Sequence, residues 1–297
     1  MISIVIPVYN RSENLRLALT ALQVQTDQRF DVIVSDDGSD EDTLAVLKKF
    51  AGIFPIKYCW MPHDRFRAGR ARNMGVTLAT GQWVLFIDSD ILLNPTAIGH
   101  YINIATANCD VIVGGRYDWL VPMVITPSDV INRWKELITG TLPPKGTARK
   151  LEGIIGADPR SLAVDERTGT STSPFNSMVV RFSHYCLSLF SGNLLVPRRI
   201  YWELGGFDEA MVGHGGEDCE FSIRAEEHHL PVIFAEEVVG YHLYHERNQE
   251  QNLREVTANI EYIKAHHDLA ALGIGSGKPG QLPLVVKPDE PANTQTA

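Results

Sequence analysis

The feature that most constrains the fold is the alternation of apolar runs and amphipathic segments along the first ninety residues. Apolar runs at 2–8, 30–34, 56–61 and 83–87 have the length of buried strands, and helix-patterned segments separate them. Strands that alternate with helices form a parallel sheet with helices on its faces. The sequence therefore predicts an α/β fold with a doubly wound sheet.

Composition and charge argue against several classes of protein. The 297 residues include 27 basic and 36 acidic side chains, a formal net charge of −9, and no block of lysine or arginine. Nucleic acids and anionic membrane surfaces both require a basic patch, so neither is expected as the main partner. The four cysteines are dispersed, as in a reduced compartment, and no apolar run has the length of a membrane span. With no cationic leader, we expect a cytoplasmic protein without a transmembrane segment, and peripheral attachment to the inner face of the membrane stays open.

The run Trp83–Ile87 ends in two carboxylates, Asp88 and Asp90, with Ser89 between them. Such a run is typical of a strand buried on both faces, and the C-terminal ends of such strands are where α/β sheets bind ligands. If the extended backbone continues, both carboxylates point the same way and repel each other unless a cation lies between them. Mg²⁺ or Mn²⁺ bound to a phosphate would satisfy this arrangement. A solvent-exposed acidic loop is the alternative for so short a motif.

Polar residues follow each of these four strands, and the right-handed crossover rule brings their loops to one edge of the sheet. A nucleotide is the ligand expected there. The first loop, Pro7–Ser12, nevertheless lacks the glycines of a dinucleotide-binding fingerprint, and the sequence contains no P-loop. The charge of a diphosphate must then be balanced by a metal at Asp90 and by Arg67 or Arg72. Each arginine is equally compatible with an exposed helix face.

Four motifs of the first half occur in a fixed order: Val5–Asn10, Val34–Ser39, Ala71–Gly75 and Asp88–Asp90. Together they resemble the nucleotide-sugar-binding half of family 2 glycosyltransferases with the GT-A fold. The resemblance implies that the loop with Pro7 and Tyr9, together with Asp36, holds the uracil of a UDP-sugar. It also implies that Asp88, with Ser89 beside it, approaches the ribose and that Asp90 binds the metal on the diphosphate.

A second group of motifs lies in the C-terminal half. Glycines at 213, 215 and 216 precede Glu217 and Asp218, and the residues that follow have the pattern of a helix that begins near Glu217. Acidic residues in the first turn of a helix are also simple caps, since the helix dipole stabilises them.

The stretch from Gly192 to Asn252 resembles the catalytic region shared by β-1,4-galactosyltransferases and bacterial chondroitin-type polymerases. That resemblance implies that Asp218 is the general base that deprotonates the acceptor hydroxyl and that Glu217 orients the acceptor. His214 is a departure, because those families often have tryptophan there, so the resemblance does not identify the acceptor. A carboxylate at position 218 favours inversion at the anomeric carbon.

Two histidines, His242 and His245, have a spacing that lets both side chains face one way on a helical turn. Histidines near aromatic residues are commonly structural, but the same resemblance places metal ligands at this point. Asp90 with one or both imidazoles would form a mixed oxygen and nitrogen set. Such a set favours Mn²⁺, with Mg²⁺ as the second choice.

The predicted organisation is one GT-A domain in two halves. Residues 1–115 form the nucleotide-sugar-binding half, and residues 116–272 form the acceptor-binding and catalytic half. Within the second half, 139–176 is expected to be a mobile loop, either an acceptor-contacting lid or plain disorder, and 273–297 a loosely held tail.

The predicted function is that of an inverting, metal-dependent glycosyltransferase. It would move a hexose or N-acetylhexosamine from a UDP-sugar to a hydroxyl of a glycan, a lipid-linked acceptor or another acceptor. Two alternatives stay open: a retaining transferase on the same fold, and a non-catalytic protein that binds sugar nucleotides or glycans.

Overall fold

The computed structural model describes residues 1–40, 42–108, 110–120, 124–139, 189–245, 249–272 and 284–285. The strands of these residues are β1 Ile2–Val8, β2 Phe30–Asp36, β3 Ile56–Trp60, β4 Trp83–Ile87, β5 Ile91–Leu93, β6 Ile112–Trp119, β7 Asn193–Pro197, β8 Val232–His242 and β9 Leu284–Val285. The helices are α1 Ser12–Gln23, α2 Thr43–Lys48, α3 Ala68–Thr77, α4 Ala97–Ala107, α5 Pro127–Asn132, α6 Trp134–Ile138, α7 Arg198–Glu203, α8 Glu217–Glu227 and α9 Gln249–His266.

These strands form one mixed sheet in the order β3-β2-β1-β4-β7-β6-β8-β5, with β9 beside β8. Strands β3, β2, β1 and β4 run parallel, as the alternation of strands and helices predicts. β7 is antiparallel to β4 and β6, whereas β8 is parallel to β6 and antiparallel to β5. The α/β prediction is confirmed, and the uniformly parallel arrangement is limited to the first four strands of this order.

The central strands are buried on both faces, which accounts for their uninterrupted apolar sequences. In β1, Ile4 and Ile6 belong to one apolar cluster, together with Leu15 and Leu19 of α1, and Val5 belongs to the opposite cluster. Because successive side chains of a strand point to opposite faces, β1 contributes to the apolar core on each face of the sheet. The packed sheet fixes the positions of the loops at the C-terminal ends of β1 to β4.

β6 and β8 change register at a bulge between Gly115 and Arg116. Asn193 spans this bulge: its amide donates to the Arg116 carbonyl at 3.1 Å, and its Oδ1 accepts from the Tyr101 hydroxyl at 2.8 Å. A β-bulge redirects the side chains that follow it, and Tyr117 is one of these. The expected boundary between the two halves of the domain, after residue 115, falls at this bulge and therefore inside the continuous strand β6. The division into two halves stays a prediction.

Several boundaries differ from those expected from the sequence. Ser12, before the apolar periodicity of the first helix, is a residue type that the sequence predicts as an N-cap, but α1 begins at Ser12 itself and Arg11 precedes it. The helical pattern of 128–138 is divided into α5 and α6 at Arg133. Residues 140–176 of the expected loop lie outside the described residues. The expected tail, 273–297, also lies outside the described residues, except for Leu284–Val285, which pairs with β8.

The helices also bear on the expectation that the chain has no transmembrane segment. Within the described ranges, no helix is both long enough and apolar enough to span a bilayer.

Candidate active site

The two carboxylates after β4 lie in a turn rather than in a continued strand. β4 ends one residue before Asp88, and the Ile91 N–H donates to the Asp88 carbonyl at 3.1 Å before β5 begins. The turn directs the two side chains to different partners: Asp88 contacts Arg72 of α3, and Asp90 contacts two histidines. The extended backbone on which the shared direction of the two carboxylates depended is therefore absent, because a turn follows β4.

Asp90, His242 and His245 form the candidate metal site. The Nε2 atoms of His242 and His245 lie 3.7 and 3.1 Å from Asp90 Oδ2, and one potential ligand atom of each residue lies within 4.8 Å of the others. His242 Nδ1 lies 2.8 Å from the Leu243 carbonyl, so Nδ1 carries the proton and Nε2 keeps its lone pair. The donor atoms therefore fit a divalent cation. His242 reaches the site as the last residue of β8, not on the helical turn that the spacing suggested.

Arg72 connects the two segments of the site. Its Nη2 donates to Asp88 Oδ1 at 2.7 Å and its Nη1 to Glu217 Oε1 at 2.9 Å, while its side chain is only 3% exposed. Burial alone would lower the pKa of Arg72, but the two carboxylates together raise it above its usual value. The guanidinium also lies over the Phe207 ring, 5.3 Å from its centroid. Two of its nitrogens are thus bound within the protein, and the expected contact with a diphosphate stays a prediction.

Glu217 and Asp218 are the first two residues of α8, as expected. Gly216 precedes them with a φ of 101°, a conformation that favours glycine. Burial, together with the neighbouring charge of Glu217, raises the pKa of Asp218 to about 7, although Arg72 and the Cys219 N–H act in the opposite direction. A carboxyl group with this pKa exchanges a proton near neutral pH, which is what a general base requires.

The glycine-rich loop before α8 is held from two sides. Glu255 of α9 accepts from the His214 N–H at 2.8 Å. From the other side, the Gly213 N–H donates to the Phe66 carbonyl at 2.8 Å, and the Phe66 ring lies 5.7 Å from the His214 ring. His214, the residue that departs from the resemblance, is thus fixed between α9 and the segment that leads into α3.

The expected uracil site lies where β1 and β2 end. Tyr9 stacks on His63, with ring centroids 3.9 Å apart and planes 7° from parallel. His63 Nδ1 lies 3.1 Å from Asp37 Oδ2, and this contact holds the imidazole against the tyrosine. The stacked pair and the carboxylate therefore form one unit at this end of the site.

Asp36 and Asp37 have different surroundings. Asp36 is buried, and its oxygens accept from the Ser39 N–H at 2.8 Å and from the Tyr58 hydroxyl at 3.0 Å. Asp37 Oδ1 is buried without a hydrogen-bond partner among the described residues, and burial raises the pKa of Asp37. Buried polar atoms normally have partners. Asp37 is therefore the member of the pair whose hydrogen-bonding capacity is left partly unused by the described residues.

The remaining candidate residues lie near the same edge of the sheet. Pro7 is half-buried in β1, and Ser89 is buried in the turn after Asp88. Arg67 immediately precedes α3, and its Nη2 pairs with Asp64 at 2.9 Å. Their roles toward a nucleotide sugar stay predictions.

Sequence reasoning missed Asp37 and Tyr117. The adjacent pair Asp36–Asp37 was visible in the sequence. A sequence pattern does not indicate, however, which of two neighbouring carboxylates has its hydrogen bonds supplied by the protein. Tyr117 belongs to no recognisable motif. It reaches the site because the bulge in β6 changes the direction of the residues that follow it. Its pKa is raised well above the usual value, mainly by burial and then by the charges of Asp88 and Asp218.

Two family models match the chain in the regions that carry these residues. The model of Glycosyl transferase family 2 matches residues 3–137, from β1 to α6. The model described as the N-terminal domain of galactosyltransferase matches residues 178–246, which include Glu217, Asp218 and both candidate metal-binding histidines.

Curated relatives align along most of the chain. Validoxylamine A glucosyltransferase of Streptomyces hygroscopicus subsp. jinggangensis is 29% identical over 278 residues, 91% of this chain and 62% of that protein. Chondroitin synthase of Escherichia coli is 28% identical over 243 residues, 81% of this chain and 34% of that protein. The chain thus spans less than two thirds of the length of these relatives.

Solved structures share the fold. S. aureus TarS 1-349 in complex with UDP-GlcNAc has a TM-score of 0.57 at 16% identity, covering 90% of this chain and 67% of that one. The mannosyltransferase PcManGT from Pyrobaculum calidifontis, in complex with GDP-Man and Mn²⁺, has a TM-score of 0.55 at 15% identity, covering 88% and 64%. The expected GT-A fold is confirmed. The chain therefore carries a family 2 glycosyl transferase domain with the GT-A fold and, C-terminal to it, a galactosyltransferase-type region, as its motifs predict.

Proposed function

We propose that this protein transfers a hexose or N-acetylhexosamine from a UDP-sugar to an acceptor hydroxyl, with inversion at the anomeric carbon and with a bound divalent cation. The acceptor hydroxyl belongs to a glycan, a lipid-linked acceptor or another acceptor. The relatives named as a glucosyltransferase and a chondroitin synthase, and the TarS complex with UDP-GlcNAc, support sugar transfer from a UDP-sugar.

The contact of Arg72 with both Asp88 and Glu217 is the observation that carries this proposal. Asp88 belongs to the segment assigned to the nucleotide sugar, and Glu217 adjoins the assigned base. Sugar transfer requires the donor and the acceptor to meet in one site with the reacting atoms in close approach. The shared arginine supports a single site formed by both segments.

Asp218 acts as the general base in this proposal. The acceptor oxygen attacks the anomeric carbon, its proton passes to Asp218, and the bond to UDP breaks so that UDP leaves with the bonding electron pair. A single displacement of this kind inverts the anomeric configuration. Glu217, fixed by Arg72, orients the acceptor.

Asp90, His242 and His245 would hold the cation. When bound, it would neutralise charge on the departing UDP. Their mixed oxygen and nitrogen donors favour Mn²⁺ over Mg²⁺, and the Mn²⁺ in the PcManGT structure supports a metal on this fold. At the other end of the nucleotide, we assign Pro7, Tyr9 and the Asp36–Asp37 pair to the uracil. Arg67 is assigned to the diphosphate.

The test is the release of UDP from a panel of UDP-sugars by the purified protein. We expect release with Mn²⁺, loss of release after chelation, and recovery when Mn²⁺ is restored. Asp218→Asn should bind UDP normally but turn over about 10²- to 10⁴-fold more slowly, the range for loss of a general base.

The alternatives give different results in the same experiments. NMR of the product should show the inverted anomeric configuration, and a retained configuration would favour a retaining transferase. UDP binding without release from any UDP-sugar would favour a sugar-nucleotide-binding protein.

A further inference from the structure

Tyr117 lies beside Asp88 in the candidate site, and its neighbours fix its orientation. A Cβ atom at Gly192 would clash with the Tyr117 hydroxyl oxygen and would lie 2.6 Å from Asp88 Oδ2. Both oxygens therefore lie against the same backbone carbon. The Phe190 ring packs edge-on against the Tyr117 ring, with centroids 5.5 Å apart, and the Tyr117 backbone pairs with Gly240 of β8. The hydroxyl is thus placed by the strand, by an aromatic neighbour and by a glycine that leaves room for it.

The surroundings of the phenol include charges from both ends of the site. Burial and the charges of Asp88, Asp218 and Asp90 raise its pKa well above the usual value, with Arg72 in opposition. The phenol therefore stays protonated at every pH at which the protein would work. It is a neutral hydrogen-bond donor among carboxylates.

The position of this donor relates it to one part of the substrate. In the proposed function, on which this inference rests, the leaving diphosphate lies at Asp90 and the base is Asp218. The transferred sugar must lie between these two groups, because its anomeric carbon is bonded to one and attacked with the help of the other. The Tyr117 hydroxyl lies against Gly192 beside Asp88, and Arg72 joins Asp88 to Glu217 next to the base, so this hydroxyl borders the sugar.

We propose that Tyr117 is a specificity-determining residue that donates its phenolic hydrogen to an oxygen of the transferred sugar. A site that hydrogen-bonds one substrate hydroxyl discriminates against sugars that lack it or present it in the other configuration, because a buried polar group is then left unpaired. Tyr117 would thus help to select which UDP-sugar is used.

A purely structural role would have a different signature. If the phenol only supports Asp88, its loss should lower turnover by the same factor for every donor. If it contacts the sugar, its loss should change the ratio between donors. Selectivity is therefore the measurement that separates the two roles.

The experiment compares Tyr117→Phe with the wild type on UDP-glucose, UDP-galactose, UDP-N-acetylglucosamine and UDP-N-acetylgalactosamine. We expect kcat/KM for the preferred donor to fall by about 10- to 100-fold and for its epimer to fall much less, as one lost hydrogen bond to a buried group implies. The Kd of UDP alone, which lacks the sugar, should stay within about twofold.

Tyr58→Phe is the matched control, because its hydroxyl donates to Asp36 at the nucleotide end. It should change kcat/KM for all four donors by a common factor. Equal losses for all donors with Tyr117→Phe, or a parallel loss of UDP affinity, would overturn the inference. Absence of turnover in the wild type with every UDP-sugar would instead overturn the proposed function, so the two failures are distinguishable.

Discussion

Arg72 and Glu217 are 145 positions apart in the sequence, yet Arg72 Nη1 donates to Glu217 Oε1 at 2.9 Å. The contact joins α3 to the first residue of α8, and a second guanidinium nitrogen, Nη2, donates to Asp88. The buried guanidinium of Arg72 lies between two carboxylates. Both the packing of these segments and the charge balance of the site therefore depend on this one side chain. Its removal therefore has consequences for stability as well as for activity.

The first prediction concerns Arg72→Met. Removing one partner of a buried ion pair leaves uncompensated charge, so we expect the free energy of unfolding to fall by about 3–5 kcal/mol. Arg72→Lys keeps the charge but cannot reproduce the planar fork of the guanidinium. Its free energy of unfolding should therefore lie between those of the wild type and Arg72→Met. Urea denaturation measures these differences.

Arg199→Met is the control for Arg72→Met. Arg199 pairs with Asp110 and Glu203 on the surface, with 59% of its side chain exposed, so its loss should leave the free energy of unfolding nearly unchanged. Similar losses for the two methionine variants would show that Arg72 does not stabilise the buried carboxylates.

The second prediction concerns the pH dependence of turnover. Asp218 must be ionised to accept a proton, and its pKa is raised to about 7. The rate should therefore decrease as the pH falls below about 7. Glu217→Gln removes a negative charge beside Asp218 and should lower its pKa, which moves the acidic limb of the pH–rate profile to lower pH. An acidic limb that does not move in Glu217→Gln would contradict this assignment of the titrating group.

The third prediction concerns stability at the same residue. Because folding raises the pKa of Asp218, the folded state retains this proton over a pH range in which the unfolded chain has already released it. The contribution of the protonated carboxyl to stability is complete below the unfolded pKa and is lost as the pH rises through the folded pKa. In Asp218→Asn the side chain does not titrate, so this loss of stability with rising pH is absent. Its Tm should exceed that of the wild type by more at about pH 8 than at about pH 4, and a pH-independent difference would argue against the raised pKa.

The fourth prediction concerns the metal site. Asp90→Ala and His242→Ala should each weaken Mn²⁺ binding by at least about 10- to 100-fold, the loss that follows even from removing an outer partner of a metal ligand. Titration followed by electron paramagnetic resonance measures free Mn²⁺ directly and needs no turnover. His228→Ala, at an exposed histidine just after α8, is the control and should bind Mn²⁺ as the wild type does. Unchanged affinity in Asp90→Ala would place the cation elsewhere.

The fold could be predicted from the sequence because its signals are local. The apolar runs that become β1, β2, β3 and β4 each identify their own strand, and the helices between them impose parallel order. The acidic pair at the start of α8 was likewise predictable, since glycines and a helical pattern mark that boundary on both sides.

The contacts within the site depend on non-local geometry and could not be predicted. Nothing near Arg72 in the sequence indicates that its charge is balanced by Glu217, because the contact arises only when α3 and α8 pack together. The turn after β4 was missed for a related reason: the apolar run identifies the strand Trp83–Ile87 but does not indicate the backbone conformation of the residues that follow it. Tyr117 depends on a bulge between two distant strands.

The last prediction distinguishes the two neighbouring carboxylates at the nucleotide end. Asp37 pairs with the His63 that stacks on Tyr9, and its second oxygen has no hydrogen-bond partner among the described residues. Asp37→Ala should therefore weaken UDP binding by about tenfold or more and should cost less stability than Asp36→Asn. Asp36→Asn should instead lower the free energy of unfolding by about 1–3 kcal/mol, since an amide offers one acceptor oxygen to two donors, the Ser39 N–H and the Tyr58 hydroxyl. Calorimetric titration with UDP and urea denaturation of both variants measure the two effects. If Asp36→Asn loses UDP affinity at unchanged stability while Asp37→Ala binds normally, Asp36 is the uracil ligand, as the resemblance first implied.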